Sequence, residues 1–407
     1  MQIKNKKLLQ INTVINSGSI GRIVEEIGQV ALENGWESYI AYGRGIGQSK
    51  SKLIKIGTDF DIKLHVLQTR LLDQHGFGSK SATKNLILKI IEIKPDIIHL
   101  NNIHGYYINI EILFNYLKNF QGKVVWTLYD CWSFTGHCSY FDLFGCNRWE
   151  NECYSCPQKK IYPASILFDN SFNNYHLKRE IFNQPKNLTI VAHSSWLKDM
   201  IKKSFLNQIP IELINNGINI SNFCPKDASK LREDLNIVNQ FVILGVANIW
   251  SERKGYDDFV KLSKLLKKDE IIVLDGVNKK QSLNLPSNVI VHEKAKNVEE
   301  LAILYSLADV FINPTHEDNF PTTNLESLAC GTPVIVYNTG GNAEAIDKNT
   351  GIVVENNNII GLADAISIIK KNGKKKYYKN CIERAKQKFN YLDRYKDYIK
   401  LFERLID

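Results

Sequence analysis

No stretch of this chain approaches the ~18 uninterrupted apolar residues that a membrane-spanning helix requires. The opening KNKKLLQINTVIN turns polar too soon for a secretory signal, so a cytoplasmic protein is expected. Also missing is any module combining aromatic and basic residues in the manner of nucleic-acid binders, and no nucleic-acid partner is expected. The full Gly-x-Gly-x-x-Gly dinucleotide fingerprint is absent as well. What the 407 residues do hold is 44% hydrophobic side chains, as in a globular protein, and a formal net charge of +9. That length exceeds what one core usually supports, so two domains of roughly 200 residues are expected. The positive charge suits an anionic membrane surface or phosphorylated ligands, although Lys, Asn and Ile are frequent everywhere and composition alone accounts for it.

Short apolar runs alternate with helical periodicity. Lys7 to Ile11 leads into Ser17-Gly18-Ser19-Ile20-Gly21-Arg22, after which Ile23, Ile27, Val30 and Ala31 recur at helical spacing, giving strand, glycine loop and helix. Such a loop lets backbone N–H groups approach an anion or a sugar, and a tight turn explains two glycines equally well. Further strands are read at 39–42, 97–100, 124–128, 188–192 and 211–214, with helices near 62–72, 84–94, 108–119 and 194–203. A second series starts at Phe241, with strands near 271–274, 288–291 and 309–312. This alternation specifies α/β architecture with doubly wound parallel sheets. The polar Asn215-Asn216-Gly217 stretch, followed by Pro225, marks a boundary. The expected division is 1–222, 223–388 and a terminal segment 389–407.

The chemistry concentrates between Asp309 and Ile346. A strand, a helix starting near Thr322 and a second strand from Pro333 to Tyr337 form a parallel crossover, which sets the intervening carboxylates above strand ends, where ligands of such sheets bind. Asp318 and Glu326 are separated by seven residues, one in a loop and one on a helix. Ionised carboxylates only accept hydrogen bonds, which suits a ligand rich in hydroxyls, while Glu326 also reads as an ordinary helix residue. Upstream, Arg253 and Lys254 open a helix, and two cations there oppose the helix dipole unless an anion is present. A diphosphate fits, since a guanidinium fork and an ammonium together stabilise a departing nucleotide without a metal.

Between Cys131 and Cys156 the periodicity disappears, and five of the eight cysteines fall there. In a cytoplasmic protein stable disulfides are not expected. Cys153 and Cys156 have zinc-knuckle spacing, and Cys138 and Cys146 complete a candidate structural zinc site of four cysteines in an insert spanning 131–160. The aromatics of the insert either pack around it or face an acceptor. Of the histidines near strand ends, His99 reads as a strand residue and His104, beside Gly105, as a site candidate.

These motifs resemble the retaining glycosyltransferases of family 4, and in particular the capsule, colanic-acid and O-antigen polysaccharide type. The resemblance is carried by the acidic pair, by Gly331-Thr332-Pro333, by Gly340-Gly341 with Glu344, by Asn215-Asn216-Gly217-Ile218-Asn219 with Phe223 and Pro225, and by Trp132-Ser133-Phe134-Thr135-Gly136-His137-Cys138. It implies a GT-B fold, two Rossmann-like domains facing across a cleft, with the last helix crossing back to the first domain. It also implies transfer from a UDP- or GDP-linked sugar to a polyprenyl-diphosphate-linked oligosaccharide at the inner face of the cytoplasmic membrane. The implied catalytic residues are Asp318, Glu326, Lys254 and Arg253. Donor contacts fall to Gly18, Gly21, Asn319, Phe320, Gly340, Gly341 and Glu344, and acceptor-side contacts to His104, Tyr129 and Asp130. No catalytic cofactor is implied, and such transfer is drawn with the leaving phosphate taking the acceptor's proton, which makes a histidine base less indispensable. Two positions depart from the pattern. Asp318 stands where glutamate is usual, with Glu317 as the alternative carboxylate. Tyr129-Asp130 stands where His-Asp is usual, leaving His104 or His137 as substitutes for the histidine. A nucleotide-sugar 2-epimerase and an inactive nucleotide-sugar-binding accessory protein are the alternative readings.

Overall fold

A computed structural model of the chain describes residues 6–283 and 285–407. The chain divides into two compact units, residues 1–215 with 394–407, and residues 216–393. The sequence placed these divisions at 222/223 and 388/389.

Among the described residues, the first unit carries a parallel sheet of seven strands. These are β1 (Lys7–Val14), β2 (Glu37–Arg44), β3 (Lys52–Lys55), β4 (Ile97–Leu100), β5 (Lys123–Leu128), β6 (Leu188–Ala192) and β7 (Ile211–Leu213). Their order is β3-β2-β1-β4-β5-β6-β7. The second unit has six parallel strands, β8 (Phe241–Val246), β9 (Glu270–Asp275), β10 (Val289–His292), β11 (Val310–Asn313), β12 (Val334–Tyr337) and β13 (Gly351–Val354), in the order β10-β9-β8-β11-β12-β13. Central strands such as β4, β6, β11 and β12 are buried along their whole length, as expected where helices cover both faces of a parallel sheet. Both sheets are doubly wound, and this is the GT-B architecture the motifs implied.

Two strands escaped the sequence reading for a common reason. β3 lies at an edge, is largely exposed and has only Leu53 and Ile54 between two lysines, and β13 is an edge strand of mixed burial whose apolar run is only Ile352 to Val354, so neither run is long enough to stand out. The helix Ser171–Phe182 was also missed, because it buries Ser171, Asn174 and Lys178 alongside its apolar residues and blurs the pattern. The lysine-rich stretch near 370–376 is engaged within the second unit rather than freely solvated throughout. Lys370 pairs with Asp269 and Glu270, and Lys374 donates to the carbonyls of Ser306 and Ala308.

The two connections between units run side by side. Ile218 and Asn390 form a parallel bridge, and a Cβ on Gly217 would lie 2.4 Å from the Cα of Tyr391, so only glycine permits the approach. The final helix, Tyr391–Ile406, enters the first unit and docks on its sheet. There the fully buried Phe402 meets Trp36, His99 and Tyr398, while the Tyr398 hydroxyl lies 3.1 Å from Thr127 Oγ1. His99 is thereby explained as a structural residue, held by Gln10 and Thr127. Truncating Phe402 to alanine should cost the first unit about 3–5 kcal/mol, measured as a lower urea midpoint with unchanged slope.

Candidate active site

In the second unit the strand order reverses between β8 and β11, and ligands of open α/β sheets bind beyond the carboxyl ends of the strands at such a point. Three loops meet there. The turn Glu252–Lys254 follows β8, residues 314–321 follow β11, and Gly340-Gly341 follows β12. Lys254 Nζ stands 2.5 Å from Asp318 Oδ2. Arg253 donates to the Glu317 carbonyl at 2.6 Å, and its own carbonyl accepts from the N–H of His316 and the hydroxyl of Thr315. Gly340 has φ +52°, and a Cβ there would lie 2.0 Å from the Asp318 carbonyl oxygen. That carbonyl accepts the Gly341 N–H at 3.1 Å. The glycine pair therefore spends this N–H on positioning Asp318.

The structure also distinguishes the neighbouring carboxylates. Glu317 is 1% exposed and Glu326 3% exposed, whereas the Asp318 side chain is 14% exposed and faces Lys254. Burial alone would raise the Asp318 pKa, but the charges of Lys254 and Arg253 outweigh it and hold the group below its ordinary 3.8. Glu326 is anchored by the Tyr305 hydroxyl, which donates to Oε2 at 2.9 Å. Burial and the Glu326 charge keep that tyrosine neutral.

Other expected donor residues fall differently. Phe320 is buried in the hydrophobic core against Phe389, and Asn319 is buried. Glu344 lies in the turn Asn342–Ala345, with its carbonyl accepting from Arg384. Sequence reasoning overlooked two supports. Asn313, Asn324 and Asn342 form a buried cluster tying β11, the following helix and the glycine loop. His316 bridges Asp258 at 2.9 Å and Asn356 at 2.8 Å, and its bond to Asp258 raises its pKa. Isolated asparagines and a loop histidine give no periodic signal.

In the first unit the order reverses between β1 and β4. Gly18 opens the helix Gly18–Glu33 with φ +64° and open space beside it, whereas Gly21 packs close to Val14 and Asn16. His104, Tyr129 and Asp130 line one small pocket, together with Asn101 and Trp132. His104 Nε2 lies 2.9 Å from Asp130 Oδ2, its Nδ1 3.3 Å from the Tyr162 hydroxyl, and Asp130 also accepts the Trp132 N–H. Tyr129 donates to Asn101 at 2.9 Å and packs its ring on His193. Burial keeps the phenol neutral, so it cannot serve as an imidazolium would. His137, the other substitute base, is buried, paired with Asp73, and lines the cysteine pocket instead.

Cys138, Cys146, Cys153 and Cys156 border another small pocket, and all are free thiols. Burial pushes Cys153 up to about 12, and a hydrogen bond from Cys138 brings Cys156 down to about 7. The donor set suits zinc, but the arrangement is not a finished cage. Among the described residues no group of three or more His, Cys, Asp and Glu side chains is set to hold a metal ion.

Paired parallel α/β units, with cations and a carboxylate gathered at a switch point, define a glycosyltransferase of the GT-B class. Residues 227–388, all within the second unit, match the family described as glycosyl transferases group 1. Over 373 residues the chain is 24% identical to a protein of Escherichia coli K12 provisionally named a colanic acid biosynthesis glycosyl transferase, covering 87% of this chain and 89% of that one. Among solved structures it resembles sucrose-phosphate synthase from Thermosynechococcus elongatus, with TM-score 0.75, 17% identity and coverage of 98% and 99%. It also resembles Anabaena HepE in complex with UDP-glucose, with TM-score 0.68, 13% identity and coverage of 98% and 99%.

The depressed Asp318 pKa contributes stability above pH 3.8 that is lost as pH falls through the lower folded value. Replacing Lys254 with methionine removes the stronger cation and lets burial raise that pKa. The variant should be about 1–3 kcal/mol less stable than wild type at neutral pH, and the gap should narrow as pH drops below 4. Paired thermal melts from pH 7 to 3.5 check this, and a gap independent of pH would contradict it.

Proposed function

We propose that this glycosyltransferase moves a sugar from a UDP- or GDP-linked donor to a polyprenyl-diphosphate-linked oligosaccharide, with retention, in the building of a bacterial surface polysaccharide. The observation that carries the reading is the convergence of Lys254, Arg253 and Asp318 at the switch point of the second unit. UDP-glucose bound to Anabaena HepE supports a nucleotide-sugar donor, and the colanic acid relative supports the polysaccharide setting.

Lys254 holds the donor diphosphate and Arg253 reinforces the positive field. Both stabilise negative charge that develops as the bond from the sugar's anomeric carbon to phosphate oxygen breaks. Asp318 accepts hydroxyl hydrogen bonds from the sugar, and Glu326 is held against Tyr305 beneath it. The acceptor hydroxyl forms the new bond to the anomeric carbon and its proton passes to the departing phosphate, so no protein base is required. This fits a chain whose family histidine is replaced by Tyr129. The His104–Asp130 pair in the first unit orients the acceptor.

Lys254→Ala should lower transfer by about 10²-fold or more while the protein remains folded at 25 °C. Transfer is measured with UDP- and GDP-sugars and a lipid-linked acceptor, beside a circular-dichroism melt of the same sample. Near-native turnover would place the donor site elsewhere, and inversion at the product's anomeric proton by NMR would remove the retaining assignment.

A structural zinc on Cys138, Cys146, Cys153 and Cys156 is a second proposal, supported by their soft donor chemistry and shared pocket. Binding requires the thiols to lose their protons and close in. Elemental analysis of protein purified without added metal should find about one zinc per chain, and a metal-free preparation with an undiminished melting temperature would overturn it.

A further inference from the structure

His316 joins three segments around Asp318. It lies two residues before that carboxylate in the loop after β11, and its backbone N–H is donated to the Arg253 carbonyl at 2.9 Å. Its ring Nε2 stands 2.9 Å from Asp258 Oδ2, and Asp258 belongs to the helix Tyr256–Ser263 into which the Arg253-Lys254 turn leads. Its Nδ1 stands 2.8 Å from Oδ1 of Asn356, at the surface beyond β13. One side chain thus ties the loop of Asp318 both to the helix behind Lys254 and to a third loop. Thr315 and Thr339 add hydroxyl bonds to the Arg253 and Thr315 carbonyls, and these carry no charge.

Both ring nitrogens face oxygen. A neutral imidazole has one N–H and one lone pair, so it satisfies only one of these oxygens, whereas the imidazolium satisfies both. The setting is closed: the His316 and Asp258 side chains are 7% and 4% exposed, and the Tyr337 ring packs on the imidazole with centroids 5.5 Å apart. On the turn, Glu252 contributes negative charge, while Arg253 is committed to the Glu317 carbonyl and Lys254 to Asp318. On the helix, Lys261 reaches Asp258 Oδ1 at 3.5 Å from an exposed position. Beside Asn356, Glu355 is exposed. Loss of the ring proton therefore deprives buried Asp258 of its inner counter-charge, which is unfavourable away from water, and opens one of the two ring bonds.

We propose that His316 is a positioning residue that works as an imidazolium, holding the Asp318 loop and the Lys254 turn in register only while both ring nitrogens carry protons. Its consequence for ligand binding rests on the reading of this site as the donor site: affinity for a nucleoside diphosphate falls as pH rises. The bond to Asp258 is the main cause that raises the His316 pKa above 6.5, against burial, with Asn356 and Glu252 adding to it. A raised folded value contributes stability that is complete below 6.5 and lost as pH rises through that folded value. The Lys254–Asp318 pair has the opposite sign, its contribution being lost on acidification. The two pairs together bound the ordered site on the alkaline and the acid side.

Amide hydrogen exchange of the full chain tests the proposal without a donor. At pH 6, residues 315–319 should exchange at least tenfold faster in His316→Gln than in wild type. At pH 9 the two should match, because wild type has then lost the same proton, and comparison at equal pH cancels the intrinsic pH dependence of exchange. Asn356→Asp leaves the histidine in place, sets a second carboxylate on its ring and should move the loss of protection to higher pH. Calorimetry with UDP and with GDP reads the consequence: affinity should be at least fivefold weaker in His316→Gln at pH 6 and equal to wild type at pH 9. A difference between variant and wild type that is the same at both pH values would overturn the proposal, since an uncharged support would behave so. An unshifted midpoint in Asn356→Asp would overturn it equally, and that arm decides the matter if His316→Gln does not fold. If exchange follows the expected course and neither nucleotide binds wild type, the positioning role is upheld and the donor reading is what fails.

Discussion

Asp318 is pinned between a lysine on one loop and a turn on another that only glycine can make. The ammonium of Lys254 draws its carboxylate, while Gly340 and Gly341 close on its carbonyl from the opposite side. Neither contact is local in sequence, and each needs the carboxyl ends of β8, β11 and β12 to lie next to one another. The parallel sheet provides that adjacency. The buried asparagines at 313, 324 and 342 then lock the loops in register, with their polar groups paired so that burial carries no unsatisfied cost. Rigidity of this kind matters for transfer chemistry, because preorganised charges need not rearrange as negative charge develops on a leaving phosphate.

The two units use the same topology to different ends. In each, the strand order reverses beside the first strand of the unit, and polar side chains collect just beyond it. The second unit gathers two cations and a carboxylate, and the charge of the cations suits a phosphorylated ligand. The first gathers a histidine, a carboxylate, a tyrosine and two tryptophans, a set whose polar groups suit a hydroxyl-bearing ligand. In the first unit, the irregular segment from Cys131 to Asn170 is organised largely by aromatic packing of Phe134, Phe141 and Trp149. Lys178 is buried over the Trp132 ring and donates to the Trp132 and Thr135 carbonyls. Burial lowers that lysine to about 7, and its two carbonyl partners explain why a cation is tolerated there.

The amino-acid sequence by itself determined the α/β class, the two-unit organisation and most strands, because central parallel strands are continuous apolar runs and their connecting helices are periodic. Asp318, Lys254 and the Gly340-Gly341 pair were singled out chiefly by the resemblance of their motifs to a known family, and the structure brings them together. Edge strands β3 and β13 were not legible, since their apolar runs are too short to stand out. Only the tertiary structure decided which of Glu317 and Asp318 faces the cation, for adjacent residues in a loop differ by a turn of the backbone and not by composition. It alone placed Phe320 in the core, gave His316 its partners and joined three asparagines from distant segments. It likewise separated His104, paired with Asp130 at the pocket, from His137, sealed against Asp73. The physical reason is common to all of these: burial and pairing are properties of neighbours brought together from 11 to 64 residues apart, and no local pattern records who those neighbours will be.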